Sequence, residues 1–199
     1  MARLLKGIGT NTITSGSLGS GVTGGGGLLD VPQTFTVFDA WRLHTSMSSG
    51  ATPVVNWERE DHIDTNAGAD YTMPGQLHIE GISETSSNSG IFTFPSTGKY
   101  LLWMQTILVN TTSQWAYLRP DISFDSGSTW RFLGKPYGST NDGGSQYVCT
   151  MYNMFINISD ISTQRMRFSS QNESTFTIFG DTRGTGTGFK IGKIGDYVA

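Results

Sequence analysis

The stretch Ser89–Val109, SGIFTFPSTGKYLLWMQTILV, decides the fold that the sequence predicts. Phe92 and Phe94 alternate with Ile and Thr, which is the two-residue period of a strand with one buried face. Pro95 and Gly98 bracket a tight turn, since proline fixes φ and glycine leaves it free. Beyond the turn the run is nearly all apolar, is rich in residues that favour sheets and is too short for a membrane helix. The stretch therefore predicts two strands joined by a tight turn.

The composition is typical of an all-β protein. The 199 residues include 26 glycines and only 15% are charged, which suits short strands joined by turns better than it suits helices. This length allows one domain with a sizeable core, plus an extension. The net charge of −3 gives no electrostatic footprint for nucleic acid. We therefore expect neither nucleic acid nor membrane insertion.

Candidate strands, separated by clusters of Gly, Ser, Thr and Asn, continue along the whole body of the chain. About ten strands at this spacing predict an antiparallel jelly-roll β-sandwich. The candidates are Thr34–Met47, Val54–Glu58, Gln76–Ile82, Gly90–Phe94, Tyr100–Asn110, Gln114–Phe124, Thr129–Leu133, Gln146–Ile158, Arg165–Gln171, Ser174–Phe179 and Gly188–Ile194.

An extended N-terminal arm, residues 1–30, precedes the jelly-roll domain, residues 31–199. The arm is dominated by Gly, Ser and Thr, so it has too little apolar surface to pack on itself and would become ordered on a partner. Its basic and apolar start predicts an attachment device, whose residues are Arg3, Leu4, Leu5 and Ile8. No secretory signal is expected there.

The corner residues Phe92, Pro95, Gly98 and Tyr100 form the pattern Phe-x-x-Pro-x-x-Gly-x-Tyr. This pattern resembles the signature of the complement and tumour-necrosis-factor superfamily. VVNWERED and the C-terminal GTGFKIGKIGD are similar to two further strands of that superfamily, so the resemblance covers about 35–194. It implies a trimeric jelly-roll head that binds and holds partners and is not an enzyme.

A second resemblance concerns the combination FDAWRLHTSM…NWERED…SGIFTFPSTGKY, which is similar to structural proteins of marine tailed bacteriophages. In those proteins such heads follow a short arm. The resemblance implies a virion protein made in the host cytoplasm, joined to other virion proteins through its arm. The chain lacks the collagenous Gly-X-Y stalk of the animal members, which argues against a complement-like or cytokine role.

Catalytic and metal-binding patterns are sparse, and we expect no catalytic residues and no cofactor. The three histidines are widely spaced, and no nucleophile elbow is present. Acidic residues around His62 are more simply a solvated loop than a cation site. Asp121 and Asp125 are weak candidates for a calcium site, by resemblance to the superfamily. The lone Cys149 is expected to be a buried, inert thiol.

Aromatic and apolar residues supply the other candidate sites. Trp115 and Trp130 lie near turns and are weak candidates for a platform on which glycan rings stack. The remaining aromatics are expected in the core and at a threefold seam, because two strands are apolar on both faces. The residues predicted at the seam are Tyr152, Met154, Phe176 and Phe189.

The sequence therefore predicts a homotrimeric virion structural protein of a tailed phage, serving as capsid decoration or head fibre. Two alternatives stay open. One is a tail-fibre, receptor-binding protein that recognises host surface glycans, and the other is a free carbohydrate-binding module.

Overall fold

The computed structural model describes residues 23–25, 28–30, 36–48, 50–60, 62–65, 69–72, 81–109, 115–139, 147–172, 176–181 and 186–197. Every regular element among them is a strand. None of these residues forms a helix that is long and apolar enough to cross a membrane. The strands are β1 (Thr23–Gly25), β2 (Leu28–Asp30), β3 (Phe38–Leu43), β4 (Met47–Ser48), β5 (Trp57–Arg59), β6 (His62–Thr65), β7 (Ala69–Thr72), β8 (Ser83–Glu84), β9 (Ile91–Thr93), β10 (Gly98–Val109), β11 (Ala116–Ser123), β12 (Arg131–Phe132), β13 (Tyr137–Gly138), β14 (Tyr147–Ile158), β15 (Arg165–Asn172), β16 (Thr177–Ile178) and β17 (Gly188–Gly195).

The chain divides into two compact units, residues 1–34 and 35–199. In the first unit, β1 pairs antiparallel with β2 over three residues each. This short hairpin lies within the segment that the composition predicts as an extended arm. The attachment residues 3–8 lie outside the described part of the chain.

The second unit contains two antiparallel sheets. The first sheet has seven strands, in which β14, β10, β17, β3 and β5 are successive neighbours. β16 pairs with the end of β10 that β17 leaves unpaired, and β4 pairs with β16. The second sheet has six strands in the order β12-β11-β15-β9-β8, with β13 beside β12 on the same edge of β11. Strands β6 and β7 form a separate hairpin, where the sequence predicts a loop.

The predicted corner joins these two sheets. β9 pairs with β8 and β15 in the second sheet, whereas β10 pairs with β14 and β17 in the first. The Tyr100 hydroxyl donates a 2.8 Å hydrogen bond to the Ser96 carbonyl and so closes the turn. Gly98 is required by close packing, since a Cβ there would lie 2.7 Å from the Gly195 carbonyl oxygen. The prediction of two strands and a tight turn is confirmed.

Aromatic rings from both sheets fill the core between them. Phe92 of the second sheet lies 5.3 Å from Phe189 of the first, and Phe168 lies 4.6 Å from Phe189, measured between ring centroids. Trp57 contacts Phe168 at 5.0 Å. Phe92 and Tyr100 are fully buried, which confirms their predicted core positions.

Candidate functional site

The outward face of the first sheet carries exposed apolar side chains along β14. Met151 is 74% exposed and Phe155 is 72% exposed, and Tyr147 is exposed as well. These side chains alternate with inward ones such as Ile156, as the two-residue period of a strand requires. We call Tyr147, Met151 and Phe155 the β14 strip.

The β14 strip continues onto the neighbouring strand β10. Leu101 lies opposite Phe155 in the register, Trp103 opposite Asn153, and Val109 opposite Tyr147. A groove of about 550 Å³ crosses this face, and Phe38, Trp103, Gln105, Met151 and Lys190 are among its lining residues. The face is therefore broad, apolar and continuous across several strands.

The predicted seam residues do not lie on this outward face. Phe176 and Phe189 are each 2% exposed within a single chain, so they have almost no surface to offer a partner. Tyr152 and Met154 are half-buried and pack against the core from inside the sandwich. The assignment of these four residues to a seam is corrected, because β14 is apolar on both faces and its outward face is the odd-numbered one. Cys149 lies on that face and is exposed, so its predicted burial is wrong.

The outward face of the second sheet is built from aromatic and cationic side chains. Trp115 stacks on Tyr117 with ring centroids 5.9 Å apart, and Tyr137 meets Tyr117 edge-on at 5.3 Å. Arg119 and Lys135 lie over the Tyr117 ring, at 5.5 and 5.6 Å from its centroid. These neighbours bury Tyr117 almost completely, although it points away from the core.

Asp121 is held by two arginines rather than left open for a cation. Its Oδ1 accepts from Arg119 Nε at 2.9 Å and its Oδ2 accepts from Arg167 Nε at 3.3 Å, while the Ser169 hydroxyl also donates to Oδ2. Asp121 is 1% exposed, and a buried carboxylate requires such partners. The structure therefore gives Asp121 an ion-pair role.

Asp125 belongs to a separate turn. Its Oδ1 accepts from the Ser123 hydroxyl at 2.7 Å and from the Thr129 amide at 2.8 Å, and its Oδ2 accepts from the Thr129 hydroxyl at 2.6 Å. The Thr129 hydrogen bonds, with the Ser123 hydroxyl, lower the pKa of Asp125 to about 2. The pairing of Asp121 with Asp125 in one metal site is corrected, since each carboxylate has its own partners.

The acidic residues near His62 are partly described. Glu58 accepts from Arg42 Nε at 2.7 Å and lies 2.7 Å from His44 Nδ1, and Glu60 lies 3.9 Å from Lys190 Nζ. Among the described residues, no group of three His, Cys, Asp or Glu side chains is placed to hold a metal ion.

Trp115 and Trp130 do not form one platform. Trp115 precedes β11 and is stacked on Tyr117, whereas Trp130 follows the turn at the other end of β11. The guanidinium of Arg167 lies over the Trp130 ring at 4.2 Å, and the Trp130 indole donates to the Gly127 carbonyl. Each indole is thus partly covered, by Tyr117 or by Arg167, and a role of either ring in glycan stacking stays a prediction.

The cations of this face were not predicted from the sequence. Arg119, Lys135 and Arg167 lie on three different segments, and only strand pairing brings them together. The available signal was the two-residue spacing Arg119-x-Asp121 and Arg167-x-Ser169, which places each pair on one strand face.

No family model matches the sequence, and no curated protein matches it. Solved structures do match by fold. The chain is similar to the Eiger TNF from S. frugiperda, with 12% identity, 82% of this chain and 95% of that chain covered, and a TM-score of 0.59. It is also similar to murine APRIL, with 14% identity, 79% and 98% covered, and a TM-score of 0.51. The chain therefore has the same antiparallel jelly-roll fold as these two proteins.

Proposed function

We propose that this protein is a homotrimeric structural protein of a tailed-phage virion, a capsid decoration or head fibre attached through its N-terminal arm. The β14 strip is the observation that carries the self-association. Soluble monomers rarely expose a contiguous apolar surface of this kind unless a partner covers it. A closed, symmetric assembly covers the same face on every copy.

The virion role is supported by the sequence resemblance to phage structural proteins and by the division of the chain into two units. A body that associates with its own copies, together with a separate N-terminal segment that attaches to the particle, is the organisation that a decoration or fibre protein needs. The role requires no catalytic step. The carboxylate of Asp121 forms an ion pair with Arg119, and that of Glu58 forms one with Arg42.

The test is the composition of purified particles. Particles of the encoding phage are banded on a density gradient, the proteins are identified by mass spectrometry, and the chain is located by immunogold electron microscopy. We expect the chain in the particle band, with label on the head. A chain found only in the soluble fraction of the lysate would contradict the virion role.

The aromatic and cationic face of the second sheet favours a second candidate function, recognition of surface glycans by a tail-fibre component. Label at the tail rather than the head would support it. A free carbohydrate-binding module would be absent from particles but would still bind glycan.

A further inference from the structure

The outward face of the second sheet presents oriented cations beside exposed rings. We define the cationic face as Arg119, Arg167, Lys135, Phe132 and Tyr137. It lies on the opposite side of the sandwich from the β14 strip, because the two sheets pack face to face.

Asp121 orients the two guanidinium groups of this face. Both arginines use Nε to contact its carboxylate, at 2.9 Å for Arg119 and 3.3 Å for Arg167. The Arg119 Nη1 also donates to the Tyr117 hydroxyl at 3.4 Å, and the Arg119 and Arg167 side chains are 21% and 16% exposed. A guanidinium fork fixed in this way suits the planar or tetrahedral oxygens of a carboxylate or sulfate.

Lys135 adds a third positive charge. Its ammonium lies 4.9 Å from the Phe132 ring centroid and 5.6 Å from that of Tyr117. No carboxylate of the described residues forms an ion pair with it. Three cations against the single buried carboxylate of Asp121 give the face a net charge of +2, in a chain whose net charge is −3.

The two rings of the cationic face are each more than half exposed, although Arg119 and Lys135 lie over the Phe132 ring, at 5.2 and 4.9 Å from its centroid. Phe132 is 59% exposed and Tyr137 is 56% exposed. Tyr137 lies opposite Tyr117, and Phe132 lies opposite Asp121, four residues further along β11. At about 3.4 Å per residue the two rings lie about 14 Å apart along the strand, with the cations between them.

We propose that the cationic face binds an acidic polysaccharide, with its carboxylate or sulfate groups on the cations and its sugar rings on Phe132 and Tyr137. The apolar CH-bearing face of a sugar ring packs on an aromatic side chain, and the spacing accommodates more than one sugar. A small anion would use the cations alone, and a peptide of acidic residues only has no ring to pack on Tyr137. The inference does not rest on the virion role.

The experiment is affinity electrophoresis of the full chain through gels that contain alginate, dextran sulfate, neutral dextran or polyglutamate. We expect retardation by alginate or dextran sulfate, none by dextran, and loss of retardation as NaCl is raised. Alginate and dextran sulfate distinguish a carboxylated from a sulfated ligand.

Variants locate the site. Lys135→Ala is expected to weaken binding about fivefold, the value of one partly exposed charge contact. Arg167→Lys, which keeps the charge and removes the fork, is expected to weaken it similarly. Lys99→Ala, which removes an exposed lysine from the first sheet, is the matched control and is expected to leave binding unchanged.

The variant Tyr137→Ala distinguishes binding of a glycan from binding of an acidic peptide. We expect it to weaken retardation by the polysaccharide and to leave any retardation by polyglutamate unchanged. The proposal is overturned if neither acidic polysaccharide retards the wild type at low salt. It is also overturned if Lys135→Ala and Lys99→Ala have equal effects, or if Tyr137→Ala leaves polysaccharide retardation unchanged. Each result stands apart from the particle test, which does not measure glycan binding.

Discussion

Phe92 is the residue on which both the corner motif and the core depend. It packs edge-on against both Trp41 and Phe189, with ring centroids 5.1 and 5.3 Å away, and is fully buried. Replacing it by alanine removes buried apolar surface and leaves a cavity among rigid rings. We expect Phe92→Ala to lower the free energy of unfolding by about 3–5 kcal/mol. Chemical denaturation measures this, and a change below about 1 kcal/mol would contradict the core position.

Asp125 gives a pH-dependent test of the turn after β11. Hydrogen bonds from Thr129 and Ser123 lower its pKa in the folded chain from 3.8 to about 2. Since the folded pKa is the lower one, the stabilisation is fully present above about pH 4 and is lost as the pH falls through 2. We expect Asp125→Asn to melt at a lower temperature than the wild type at pH 7, and the difference to shrink towards pH 2. A difference that is unchanged between pH 7 and pH 2 would show that the charge of Asp125 does not stabilise the turn.

The burial of individual residues could be predicted where the sequence pattern allowed only one face of the strand to be buried. Phe92 belongs to a clear alternation and Tyr100 to the corner motif, so the burial of both could be predicted from the sequence. β14 is apolar at both odd and even positions, so the sequence does not say which face is outward, and Tyr152 was therefore assigned to the wrong face. Arg167 meets Asp121 across 46 positions of sequence, and only the register of β11 with β15 makes that contact.

At the scale of elements, β14 is the strand whose outward side chains need a partner. Glutamate at Phe155 would place a charge in the apolar interface of the proposed trimer, and a buried unpaired charge is strongly unfavourable. We expect Phe155→Glu to raise the dissociation constant of the trimer at least about tenfold, measured by sedimentation equilibrium.

Phe132→Glu is the matched control for this prediction. Phe132 is a phenylalanine of similar exposure on the other sheet, so its replacement should leave the assembly intact. A wild type that sediments as a stable monomer at micromolar concentration would contradict the trimer itself. Equal effects of the two substitutions would contradict the placement of the interface on β14.

Element prediction succeeded where turn chemistry marked the ends. The predicted Gln146–Ile158 begins one residue before β14, and the predicted Gly188–Ile194 ends one residue before β17. The predicted strand Thr34–Met47 is instead two strands, because the backbone turns between Leu43 and Met47. The β6–β7 hairpin was missed since its residues are mostly polar and show no alternation.

At the scale of the whole molecule, the two outward faces have different chemistry. The first sheet offers apolar side chains, which favours association with copies of the same chain. The second sheet offers cations and rings, which favours an acidic ligand. Because these faces lie on opposite sides of the sandwich, one chain can associate through the first and bind through the second at the same time.

The last prediction concerns the arm, residues 1–30, which precedes the second compact unit. Ordering a Gly- and Ser-rich segment costs roughly 1–2 kcal/mol per residue for the backbone, so contacts with a partner surface must offset that cost. Strand addition would supply amide hydrogen bonds together with sites for a few apolar side chains. Deleting residues 1–30 is expected to leave a folded trimer that no longer joins the particle. Sedimentation checks the trimer, and mass spectrometry of particles complemented with the truncated gene checks incorporation. Truncated protein incorporated at normal occupancy would place the attachment surface on the jelly-roll body instead.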